Sequence, residues 1–153
     1  MTPFRIGSGA GYSGDRIDPA QDLAERGQLN ALVFECLAER TIALAQLRRS
    51  IDPLQGYDPM LGERMQAVLP ACHAQGCTII SNMGAANPMA AGQAVLAVAR
   101  GQGLRGVKVG VVEGDDVLAW MLAHHTPLLE THGQTVRDLG ERLISANAYL
   151  GAD

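Results

Sequence analysis

Aromatic residues are scarce in this sequence: one Trp, three Tyr and two Phe, 4% of 153 residues. So few rings exclude a row of base-stacking side chains, and a single-stranded nucleic-acid platform is not expected. Basic side chains are also few. Twelve Lys and Arg stand against sixteen Asp and Glu, leaving a net charge of −4. No run of five basic residues occurs, which argues against nucleic acid and against an anionic membrane surface as partner. The three cysteines, Cys36, Cys72 and Cys77, are too few and too scattered for a disulfide framework. No window holds about 18 uninterrupted apolar residues, so no bilayer span is expected. Residues 1–3 lead straight into an apolar run, and no leader peptide is expected. These readings together suit a cytoplasmic protein with reduced thiols.

What the chain does have is glycine in one place. Four glycines fall within residues 7–14: Gly7, Gly9, Gly11 and Gly14, separated by small or polar residues and Tyr12. Glycine lets a ligand approach the main chain, and a loop of this kind can aim several N–H groups at one anion. The chain is 47% hydrophobic and 18% charged, enough apolar material for one sizeable core, and a single domain over residues 1–153 is expected.

Apolar runs of strand length recur, with helical patterns between them. Strands are expected at residues 4–7, 31–34, 77–80 and 107–112. Asp18-Pro19, Asp58-Pro59 and Asn87-Pro88 each read as an N-cap residue followed by proline at the first helical position. Helices are expected to follow these starts, the second kinked or interrupted by Pro70 and ended at Gly76. Others are expected at residues 37–49, 117–124 and 135–150. Strands alternating with helices define an α/β fold: an open, mostly parallel sheet of about four strands with helices on both faces, Rossmann-like and three-layered.

In such a sheet, ligands sit beyond the carboxyl ends of the strands. All four expected strand ends carry polar chemistry. The first carries Gly9, Gly11, Gly14, Asp15 and Arg16, where Arg16 suits a carboxylate or phosphate. The second carries Glu35, a carboxylate that must be hydrogen-bonded or used, and Cys36. The third carries Asn82, Gly84 and Asn87, Asn82 suited to holding a carbonyl and Asn87 to capping a helix. The fourth carries Gly114, Asp115 and Asp116. The aspartates there are helix caps or, alternatively, ligands of a hard cation. Glu35 and Asp15 are the acid/base candidates, and no metal site is assigned. Gly9 to Gly14 also fits the dinucleotide fingerprint, with Glu35 as the acidic residue 21 positions on. That reading is set aside as a minor alternative, because Asp18-Pro19 starts the helix four residues too late. Cys72, His73 and Cys77 lack zinc spacing.

The phrases RIGSGAGYSGDRIDPAQDLAERG, LVFECLAERTIALAQ, SNMGAANP, VVEGDDV and SANAYLGAD resemble the acyclic terpene utilisation (AtuA) family, in that family's order. The likeness covers nearly the whole chain. Gln28-Leu29-Asn30-Ala31 departs from it, since relatives commonly carry an acidic residue and a tyrosine there. Members are longer, so the resemblance implies the N-terminal part of a larger architecture. It also implies a place in the catabolism of acyclic isoprenoids through carboxylates or CoA thioesters, with no reaction defined and no cofactor named. Gly9, Gly11, Asp15, Arg16, Glu35, Asn82, Gly84, Asn87, Gly114 and Asp115 match its motifs. A small anionic ligand and a homo-oligomeric state are the expected partners. A pathway scaffold and a dinucleotide-binding module stand as alternatives.

Overall fold

Three short runs form strands for the reason their composition suggests. β1 (Ile6–Ala10), β2 (Ala31–Phe34) and β3 (Thr78–Ser81) pair in parallel, in the order β1-β2-β3. β2 lies in the middle, and its continuous apolar sequence leaves Leu32 and Phe34 at most 1% exposed. The computed structural model describes residues 3–149. They divide into two compact units, Met1–Val111 and Val112–Asp153.

In the first unit, α1 (Asp18–Arg26) packs on β1 and β2, while α3 (Leu61–Gln75) packs on β3 and on α1. Ala20 and Ala24 of α1 meet Met65, Val68 and Cys72 of α3 over Leu32 and Phe34 in one buried cluster. α4 (Pro88–Gly101) packs on α3. α2 (Glu39–Ile51) makes its own small cluster, Ile42 and Ala45 with Ala86. Its first turn is closed by Thr41, whose Oγ1 accepts from Ala38 N at 2.6 Å.

Two expectations about the sheet are corrected. No fourth strand forms among the described residues: residues 107–112 pair with no other strand. Their valines lie against α4 instead. A Cβ built on Gly92 would stand 3.0 Å from Val111 Cγ2 and 3.5 Å from Val109 Cγ1. β-branched residues favour extended backbone, but a ladder also needs a neighbouring edge, and this segment has settled on a helix. Nor do helices cover both faces of the sheet within this unit. Ile6, Ser8, Thr78 and Ile80 share the face opposite Leu32, and all four are exposed. α4 rests on α3 rather than crossing to that face.

Pro70 does not interrupt α3, which runs through it. Proline removes the bond that its N–H would give to the carbonyl four residues earlier. That carbonyl belongs to Gln66, and Gln102 Nε2, just past α4, donates to it at 2.8 Å. The helix is therefore repaired from outside. Gln102→Ala should cost about 1 kcal/mol in urea unfolding. In a Pro70→Ala background, where residue 70 regains its N–H, the same change should cost measurably less. Equal costs in both backgrounds would refute the repair. α3 ends as expected at Gly76, in the left-handed conformation at φ 69°.

The second unit holds α5 (Leu118–Ala123) and a 3₁₀ segment, Val136–Arg142, joined by two isolated antiparallel bridges, Asp116 to Asn147 and Pro127 to Thr135. The helix expected over residues 135–150 is replaced by that 3₁₀ segment, because Gly140 adopts φ 53°, ψ −133°, outside the helical region. Leu150, the end of that expected helix, and the closing residues 151–153 lie outside the described residues. No helix of the described residues is long and apolar enough to cross a membrane.

Candidate functional site

The carboxyl ends of β1, β2 and β3 are laced together by the residues that follow them. Glu35 N donates to Ala10 O at 3.1 Å, and Asn82 N donates to Phe34 O at 3.4 Å. Asn82 ties the second and third ends with its side chain. Its Oδ1 accepts from Cys36 N at 2.7 Å, and its Nδ2 donates to Glu35 Oε1 at 2.9 Å. A backbone N–H can only donate, so the first contact sets the amide's orientation. The second then follows: Asn82 must present its NH₂ to Glu35. Glu35 Oε1 also accepts from Leu37 N at 3.3 Å. This carboxylate is exposed, oriented and engaged through one oxygen.

The glycine loop closes on itself. Asp15 Oδ2 accepts from Gly11 N at 2.6 Å and from Tyr12 N at 3.3 Å. The anion that these N–H groups hold is the loop's own carboxylate. Arg16 pairs with Asp18 at the first turn of α1, and both are exposed. Gly9 is buried within β1, with its Cα against the Phe34 ring; a Cβ there would lie 2.6 Å from Phe34 Cε1. Gly14 receives the Tyr12 ring in the same way. Asp15→Ala would leave two N–H groups without their acceptor and should cost about 1–2 kcal/mol of stability. Asp15→Asn, which keeps an oxygen acceptor, should recover most of it. Thermal melts of the pair check this, and equal losses would show that charge rather than hydrogen bonding matters.

The third end is braced by Asn87. It caps α4 through Oδ1 to Ala90 N at 3.3 Å, with Pro88 following, and its Nδ2 donates to Pro53 O and Gln55 O, each at 2.8 Å. Gly84 lies so close to Pro88 that a Cβ would stand 2.9 Å from Pro88 Cα. Asp58 departs from the expected cap. α3 starts at Leu61, and Asp58, 6% exposed, instead accepts from Met60 N at 2.8 Å through Oδ1.

Between these ends lies a pocket of about 90 Å³ lined by residues that include Ser13, Cys36, Tyr57, Asp58 and Asn82, with Arg48 and Thr41 from α2. Burial pushes the Cys36 thiol up to about 11, with Asp58, Glu35 and Asp15 adding to the rise and Arg64 opposing it. At neutral pH it is a protonated thiol, unsuited to attack as a thiolate.

Ser13, Cys36, Asn82 and, through Asn82, Glu35 are thus brought together. Gly114 and Asp115 are not on a strand end, because no fourth strand precedes them. They belong to the second unit. There Asp115 Oδ2 accepts from Asn147 Nδ2 at 3.0 Å and its carbonyl accepts from Ala148 N at 2.7 Å. Neither aspartate is the N-cap of α5, which is Val117; Asp116, one residue earlier, accepts from Leu118 N at 3.3 Å. Among the described residues no group of three or more His, Cys, Asp or Glu stands close enough to hold a metal ion.

Sequence reasoning missed Arg64 and placed Asp58 only as a cap. Arg64 falls among the buried positions Leu61, Met65 and Val68, and that spacing was the available signal: a charge on the apolar stripe of a helix. It is 0% exposed, and its Nη2 donates to Ser13 O at 2.8 Å and to Asp15 O at 2.9 Å.

The first unit is therefore a parallel α/β domain with a small pocket of mixed polar and apolar lining at the carboxyl ends of its strands, the position at which such sheets bind ligands. The sequence matches the family described as acyclic terpene utilisation family protein AtuA over residues 4–153, and the chain belongs to that family. The family's name ties it to acyclic terpene utilisation. No curated protein and no solved structure matches the chain.

Proposed function

We propose that this chain is an enzyme, or the N-terminal part of one, in acyclic terpene catabolism, and that it acts on a carboxylate or CoA-thioester intermediate at the β1-β2-β3 rim. The observation that carries the reading is Asn82. Asn82 lines the pocket and its Nδ2 donates to Glu35 Oε1, which orients a carboxylate next to the pocket wall, the placement a general base needs. The family supplies the pathway. In this reading Glu35 moves the proton and Asn82 orients it. Asp15 shapes the glycine loop formed by Gly9, Gly11 and Gly14, and Arg16 offers a cation at the loop's exposed end. Gly84 and Asn87 hold the third strand end in place. Gly114 and Asp115 carry no step.

Complementation of a strain lacking the gene, on an acyclic terpene as carbon source, tests the assignment. Glu35→Gln should lower growth rate at least about tenfold, as loss of a general base removes about 10²–10⁴ in rate, with the melting temperature unchanged. Normal growth with Glu35→Gln at wild-type protein levels would end it.

A second reading is favoured by the open sheet face, where Ile6 is 66% and Ile80 53% exposed. In it the chain is a subunit that binds a second copy or another pathway protein without catalysis. Light scattering separates the two: a strict monomer with a saturable thermal shift by a small ligand counts against the subunit reading.

A further inference from the structure

Arg64 is a charge that α3 carries into the interior without an ionic partner. It is 0% exposed. Nη2 is used on the carbonyls of Ser13 and Asp15, but Nε and Nη1 have no acceptor although both are buried. Among the described residues it forms no ion pair. Nη2 also reaches Met60 Sδ at 3.8 Å, and the Phe34 ring centroid lies 5.9 Å from Cζ, near the limit for a useful cation–π interaction. Buried guanidinium groups are ordinarily paired, because desolvating the charge is costly.

The position of this group adds a direction. Ser13, whose carbonyl takes Nη2, also lines the pocket, as do Cys36 and Asp58. The guanidinium therefore lies one residue behind the pocket wall. At Ser13 that wall is the glycine loop, whose turn is fixed by the Asp15 carboxylate accepting from Gly11 N and Tyr12 N. We propose that Arg64 is the anchor for an oxyanion group of the pocket's ligand, taken up by the fork of Nε and Nη2 when the loop between residues 11 and 16 parts from α3 and its carbonyls release Nη2. This rests on the assignment of the rim as the site. It transfers the anion-binding role from the loop's N–H groups, which Asp15 occupies, to a residue the loop covers. A pocket of about 90 Å³ admits the acid end of a small branched carboxylate. A phosphate of CoA presents the same oxyanion chemistry.

The test uses the whole 153-residue chain labelled with ¹⁵N. The Nε–H resonance of Arg64, assigned by its loss in Arg64→Lys, is followed during titration with 3-methylbut-2-enoate, inorganic phosphate and CoA. Sodium chloride at matched ionic strength is the control. A saturable shift with an oxyanion, absent with chloride, is expected. Arg64→Met should bind the same oxyanion at least tenfold more weakly by calorimetry, while melting at an equal or higher temperature than the wild type. A response to 3-methylbut-2-enoate but not CoA identifies a carboxylate; a response to phosphate and CoA alone identifies a phosphate. If no oxyanion moves the resonance, or if Arg64→Met binds as tightly as the wild type, Arg64 is a brace for the loop carbonyls and the proposal falls. Should Arg64→Met fail to fold, the wild-type titration decides alone. The catalytic reading fails separately: normal growth with Glu35→Gln removes it and leaves this titration unaffected.

Discussion

Gly9→Val is expected to lower the unfolding free energy by about 3 kcal/mol, at the upper end of overpacking costs. The reason is not conformational freedom, since Gly9 is not among the residues with positive φ. It is space. A Cβ would sit 2.6 Å from Phe34 Cε1 and 2.8 Å from Cζ, and the ring is 1% exposed with core on its other side. The ring also stands beneath Arg64, so it cannot move without disturbing the guanidinium. The strand pairing already shifts register between Ser8 and Ala10, beside this contact. Gly9→Ala should cost about 1–3 kcal/mol. Combined with Phe34→Leu, which removes the ring edge, it should cost less than the sum of the two single changes, because residues in contact are coupled. Urea unfolding of the four proteins measures this, and strict additivity would show that Gly9 is not there to make room for Phe34.

The second large effect is alkaline. Burial pushes Cys36 up to about 11 and Cys72 up to about 12, each from 9.0, with Cys77 adding to the rise at Cys72. Both thiols are raised in the folded state, so the sign is fixed. Below pH 9 folded and unfolded chains both hold these protons and the contribution is fully present. Above pH 9 the unfolded chain loses its protons first, and stability falls until the folded thiols ionise too. Each thiol costs about 1.4 kcal/mol per pH unit across that window. The unfolded thiols are only half ionised at pH 9, so urea unfolding at pH 8, 9 and 10 should show a loss of about 2 kcal/mol between the last two. A Cys36→Ala/Cys72→Ala protein should show a much flatter dependence. Alkylation at pH 8 gives a second readout. Cys77, half-exposed, should react well before Cys36 and Cys72, which are 4% and 1% exposed. An unchanged slope in the double variant would remove the thiols as its cause.

The catalytic proposal and the Arg64 proposal divide the rim between them. Glu35 and Asn82 stand at its exposed mouth, while Arg64 lies behind Ser13. A ligand that reached both would place its anionic end inward and its reacting carbon near Glu35. Asp15 then has a task apart from acid/base chemistry: its carboxylate holds the loop that separates the two.

Where a feature depends on a few neighbouring residues, the sequence alone was sufficient. Ala31–Phe34 is the central strand because a run of four apolar residues suits extended chain, and Leu32 and Phe34 of it are buried under α1 and α3. Asn87-Pro88 starts α4 and Gly76 ends α3 because a side-chain acceptor, a fixed φ and a left-handed turn are properties of those residues themselves. The clustering of Ser13, Cys36, Glu35 and Asn82 followed from one further premise, that the strands run parallel. Tertiary structure decided the rest. Whether residues 107–112 form a strand depends on an edge being within reach, and their valines met α4 instead. Pro70 stays inside α3 because Gln102, 32 residues later, supplies the donor it lacks. Which groups Arg64 meets was decided only when β2 and the glycine loop closed on α3. Hydrogen bonds and charges are settled by whatever lies across the fold, and the local sequence carries no record of that neighbour.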